Sequence, residues 1–180
     1  MTDLEFEALL TDTKERFTHA GPLDAGTLRF LPQVRDMCAE GKCRAYGHSW
    51  SCPPAVASLE EMAQRIRGYR RGILMQTVGQ LEDSFDVEGM AETQERHKQA
   101  LEQFTRDLLA RVPRALVMGA GSCTRCEVCT YPDAPCRFPE LVHPSMEACG
   151  LLVSEVCTKN AMAYNHGPNT ITLVSCCLTD

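Results

Sequence analysis

The chain has 180 residues, 44% of them hydrophobic and 23% charged. That is ordinary for one globular domain over residues 1–180 and excludes disordered, collagen-like and coiled-coil readings. Acidic residues exceed basic ones by 24 to 18, which argues against a surface built for phosphate backbones, so no nucleic-acid partner is expected.

Thr2-Asp3-Leu4-Glu5 is a capping box, and Phe6, Leu9, Leu10, Thr13 and Phe17 follow at helical spacing, predicting a helix over 3–18. Gly21-Pro22 is expected to end it. Residues 36–54 carry Cys38, Cys43 and Cys52 among glycines and a Pro53-Pro54 pair and read as a loop. Ser58-Leu59-Glu60-Glu61 is a second capping box, opening a helix that runs to about Tyr69. Residues 72–78 are short, apolar and partly β-branched, the pattern of a strand. Residues 88–112 place Met90, Leu101, Phe104 and Leu108 on one stripe, predicting the longest amphipathic helix.

A strand over 115–118 leads into Gly119-Ala120-Gly121 and a second cysteine segment, 122–143. A helix is expected over 145–159, a turn at Asn165–Asn169 and a last strand over 170–178. The alternation favours an α/β domain: a small sheet of about three or more strands flanked by helices, with two cysteine-rich metal-binding loops. A strand running straight into the cysteine loop puts those thiols at one end of the sheet.

Eleven cysteines fall below the roughly 8–10% of a disulfide scaffold, and the odd count leaves at least one unpaired. The acidic N-terminus has no basic segment followed by an apolar one, so no secretory leader is expected. The longest apolar runs are far short of the ~18 residues of a membrane helix. These features predict a cytoplasmic protein without a membrane partner, whose cysteines are thiols or metal ligands.

Cys123-x2-Cys126-x2-Cys129 is followed seven residues on by Cys136. Structural zinc takes four tetrahedral ligands, usually from two separated knuckles. Three thiols at three-residue intervals suit an iron–sulfur cube better, because successive thiolates reach different irons. A 4Fe–4S cluster is thus the first expectation and zinc the alternative. Arg125 and Arg137 lie beside ligand positions and would offset the negative charge of such a group, while amides near Gly119 and Gly121 could donate to the sulfurs. The last spacing and the Arg after Cys136 depart from ferredoxins, so only the cluster logic carries over.

Cys38-x4-Cys43-x8-Cys52 supplies three more thiols, flanked by Lys42 and Arg44, which favour thiolate. They could hold a second cluster or a zinc, with His48 or a distant cysteine as fourth ligand, or be a loop of buried thiols. Cys149 and Cys157 suit core packing. Cys176 and Cys177, adjacent in a strand, point to opposite faces, so at most one is expected in the core. His19, His97, His143 and His166 show no ligand spacing and are expected at the surface or in caps.

Several blocks together resemble an uncharacterised family of prokaryotic "predicted metal-binding" proteins. They are Tyr46-Gly47-x2-Trp50-x-Cys52-Pro53-Pro54, Cys123-x2-Cys126-x2-Cys129, Pro135-Cys136-Arg137-x-Pro139, Pro144-Ser145-Met146-Glu147-Ala148-x-Gly150 and Gly167-Pro168-Asn169-Thr170. The resemblance implies metal binding through these cysteines in an anaerobic or redox setting. Three functions stay open. One is electron transfer with a redox partner protein, since no nucleotide or flavin motif is present. Another is an enzyme using an open iron at Cys38, Cys43 and Cys52, with His48 or Glu147 as acid or base. The third is a zinc-stabilised interaction module.

Overall fold

The computed structural model describes residues 1–40 and 43–180. In chain order it contains α1 (Asp3–Arg16), β1 (His19–Asp24), α2 (Pro32–Ala39), α3 (Leu59–Ile66), β2 (Arg71–Gln80), α4 (Val87–Arg111), β3 (Leu116–Met118), α5 (Val153–Lys159) and β4 (Thr170–Thr179). Both capping boxes form: the Glu5 and Glu61 side chains accept from the Thr2 and Ser58 amides at 2.8 and 2.7 Å. Each box satisfies helix-start donors that would otherwise be orphaned.

The four strands make one antiparallel sheet in the order β1-β2-β4-β3. Helices cover both faces, which makes this an α/β domain. On one face Leu74, Val174, Cys176 and Leu178 pack against Met62 of α3, Val156 and Cys157 of α5, and the Met146–Leu151 turns. On the other, Ile73, Met75, Val117 and Cys177 pack against Phe6, Leu9 and Leu10 of α1 and Leu101, Phe104 and Leu108 of α4. Cys176 and Cys177 do point to opposite faces, but each face has its own core, so both are fully buried; the expectation of at most one buried thiol fails for that reason.

Three local expectations are corrected. Gly21-Pro22 does not merely end a helix. It lies inside β1, which is an edge strand, the place in a sheet where proline's missing N–H is tolerated. Cys38 stands in the last turn of α2, a helix begun by Pro32 at its first position, where a loop was expected. The segment 145–159 is helical only from Val153. Gly150 interrupts it at φ +79°, and a Cβ there would come within 3.0 Å of the Leu31 carbonyl oxygen. Leu31 N–H donates to the Gly150 carbonyl at 2.8 Å, so the break lets these two segments approach.

Candidate metal centre

β3 ends at Met118, and the chain passes through Gly119–Ser122 into the second cysteine segment. This segment has no helix or strand; local side-chain bonds shape it. Thr130 Oγ1 donates to the Pro135 carbonyl at 2.9 Å, and Arg137 Nη1 donates to the Val128 carbonyl at 3.0 Å. These bonds fold 128–137 back on itself. Cys123, Cys126, Cys129 and Cys136 consequently line one cavity, with Arg125 and Arg137 also on its wall.

The first cysteine segment closes that cavity from above. Ser49 and Trp50 line it. Trp50 Nε1 donates to the Ala134 carbonyl at 3.2 Å, and the indole meets Tyr131 edge-on with ring centroids 4.9 Å apart. Cys123 N–H donates to Ser51 Oγ at 2.8 Å, across 72 positions of sequence. Ser51 in turn shares a hydroxyl–hydroxyl bond of 2.9 Å with Ser49 and lies 3.6 Å from Cys52 Sγ. No sequence spacing announced this serine lid; the only local sign was the polar Ser49-Trp50-Ser51 run beside Cys52.

Burial raises the Cys129 thiol's pKa, but the Tyr131, Trp50 and Thr130 amides and the Ser49 hydroxyl outweigh it and leave it below the ordinary value. Amide donors of this kind stabilise a thiolate. Gly119, one of the two glycines expected to donate, has its N–H engaged by the Pro144 carbonyl at 2.8 Å instead. Cys136 Sγ receives the Phe138 N–H at 3.4 Å. Arg125 pairs with Glu102 at 2.5 Å and lies over the Phe138 ring. The Glu102 bond first, and then the Cys123 and Cys126 thiolates, hold the guanidinium's pKa above its usual value against the opposing effect of burial.

Cys38, Cys43 and Cys52 lie near enough for their charges to act on one another. Burial raises the Cys38 thiol, and the charges of Cys43 and Glu147 raise it further. Cys52 is raised by burial, opposed by the Ser51 hydroxyl, and then by Cys43 and Cys38. Glu147 Oε2 is buried without a hydrogen-bond partner among the described residues, whereas His48 is exposed. The acidic group near Cys38 is therefore Glu147. Lys42, expected beside these thiols, lies outside the described residues.

All eleven cysteines are unpaired. Cys149 and Cys157 are buried in the core. Two histidines depart from the expected surface or cap positions. His97 is fully buried, bridging Thr77 of β2 and Ser175 of β4 at 2.8 and 2.7 Å. His143 Nε2 is buried without a partner among the described residues. No helix of the described residues is long and apolar enough to cross a membrane.

A family model described as predicted metal-binding protein (DUF2284) matches residues 21–179. The chain belongs to this family. The match takes in both cysteine segments and every strand from Gly21 onward. No curated protein and no solved structure matches the chain.

The donors fit a thiophilic group: four unpaired thiols share one cavity, and N–H groups and a guanidinium surround them. Among the described residues no three His, Cys, Asp or Glu side chains converge tightly enough for a single ion. The enclosed space is about 20 Å³, room for roughly one water. A cubane would therefore need the turns of 122–138 to move outward.

Proposed function

We propose that this metal-binding protein is an iron–sulfur protein of a reducing compartment, with Cys123, Cys126, Cys129 and Cys136 as ligands of a 4Fe–4S cluster. The observation that carries the reading is the shared cavity of these four unpaired thiols. Their C-x2-C-x2-C run favours a polynuclear cluster over the two separated knuckles usual for structural zinc. When bound, such a group supplies one-electron transfer.

The chain's own residues set the conditions. The Trp50, Thr130 and Tyr131 amides and the Ser49 hydroxyl donate toward Cys129, lowering the electron density on its sulfur. Arg125 adds positive charge beside Cys123 and Cys126, and Arg137 ties its guanidinium to the loop through Val128. Trp50 covers the cavity and limits water. Val128, between two ligand positions, is 73% exposed, and Phe138 is also exposed. An apolar rim beside a partly exposed centre suits transient docking of a redox partner protein. Cys38, Cys43 and Cys52, with Glu147 nearby, are the candidate ligands of a second group.

Anaerobic purification followed by iron, sulfide and zinc assays tests this. Brown protein with about four irons and about four sulfides per occupied site is expected, with loss of that absorption on reduction. Colourless protein carrying only zinc would overturn it.

A further inference from the structure

A second, larger pocket of about 280 Å³ lies against the cysteine cavity and shares Cys123 and Arg125 with it. Its size is near the lower end of small-molecule sites. The Gly119–Ser122 turn after β3 forms one wall, α4 another, and Leu141 and His143 a third.

The polar groups on these walls are incompletely matched. Lys98 Nζ donates to the Ser122 carbonyl and the Thr124 hydroxyl, each at 2.9 Å. Both acceptors are neutral, so one N–H is left over and no carboxylate is ion-paired to the ammonium among the described residues; only the more distant charges of Cys123, Glu95 and Cys52 favour it against burial. Arg125 spends Nη2 on Glu102, but its Nε is buried without an acceptor. Nε2 of His143 is likewise buried and unmatched. Burial, with Arg125 nearby, pushes the His143 pKa to about 4, so the ring offers a hydrogen bond rather than a charge. Glu102 does not neutralise the site, because Arg106 and Arg125 share it. Glu95, the other lining carboxylate, is exposed and bonded by Gln99. Buried polar groups are normally satisfied, and two unmatched buried nitrogens beside a lysine ammonium that has no carboxylate partner point to an acceptor-rich occupant.

We propose that this pocket binds a small anion, a carboxylate or an inorganic oxyanion. Lys98 supplies the opposing charge and Arg125 and His143 the hydrogen bonds. The site goes beyond the metal reading and does not depend on which metal the thiols hold. Its occupant would lie directly against Cys123.

The test uses the full chain at constant ionic strength, with metal content assayed on every sample. Acetate, succinate, inorganic phosphate and sulfite are titrated separately, with acetamide as the neutral control. The readouts are the His143 ring resonances and the unfolding temperature. Saturable binding by at least one anion is expected, with Lys98→Gln weakening it by about tenfold or more and acetamide inert. His143→Gln is the second variant, expected to weaken binding while leaving the folded spectrum intact. Whether carboxylates or oxyanions saturate identifies the occupant's chemistry. No saturation below about 10 mM, equal binding of acetamide, or undiminished binding by both variants would overturn the proposal. Anion binding by a zinc-loaded protein would sink the iron–sulfur reading alone. An iron-loaded protein that ignores every anion would sink this one alone.

Discussion

His97 couples the stability of the fold to pH. It stands on α4 with 0% exposure, wedged between Thr77 of β2 and Ser175 of β4. Burial, and then the charge of Lys98, pushes its pKa from 6.5 to about 4. The unfolded chain therefore binds a proton at higher pH than the folded one. The stabilising contribution is whole above pH 6.5 and is lost as pH falls through about 4. A shift of roughly 2.5 units at about 1.4 kcal/mol each gives about 3 kcal/mol, a large share of the 5–15 kcal/mol typical of a domain. Urea unfolding of the wild type and His97→Gln, measured across this range, isolates the effect. The acid-side slope of stability should be shallower in the variant by up to about 1.4 kcal/mol per pH unit, and its stability at neutral pH lower because a buried hydroxyl loses its partner. Parallel pH profiles would refute the argument. The same residue holds α4 to two strands, so the variant is also expected to loosen Lys98, the next residue along α4, and Glu102, five residues on.

Trp50 is the chain's one tryptophan and lines the cysteine cavity. Its fluorescence should be quenched in iron-loaded protein and recover on chelation, whereas equal emission before and after chelation would contradict iron in that cavity. Cys126→Ser and Cys129→Ser should each lose most of the metal, while Cys177→Ala, buried in the core under α1 and α4 and not part of the cavity wall, should keep it at a cost of about 1–2 kcal/mol; metal assay and unfolding curves separate the two classes. In Gly72→Ala the new Cβ would stand 1.9 Å from the Cys177 carbonyl oxygen. Since that atom is strand backbone, a loss of about 3 kcal/mol or more is expected, and near wild-type unfolding would count against the β2–β4 register.

Helix starts and the cysteine run were legible because their signals are local. A capping box joins residues three apart, and the stripe of Leu101, Phe104 and Leu108 repeats with the helical turn. Thiols at positions 123, 126 and 129 must lie near one another in any fold, which is why that spacing pointed to a metal before any strand was placed. β1 was hidden because Gly21-Pro22 carries turn chemistry, which an edge strand tolerates and only the β1–β2 pairing reveals. The early part of the 145–159 helix failed because Gly150 answers to Leu31, a residue more than a hundred positions away.

The same limit governed the site. Cys123 meets Ser51 across 72 positions, and Lys98 reaches Ser122 and Thr124 from α4 only because helix and strand are packed in one register. His97 carries no sequence mark separating a core histidine from a surface one; its burial depends on two strands arriving on the same face. What the amino-acid order alone determined was which thiols could share a metal and where helices begin, since both are set within a few residues. The lid over the thiols, the pocket beside them and the strand order needed tertiary structure, because they depend on contacts between segments whose separation along the chain leaves their meeting free until the sheet forms.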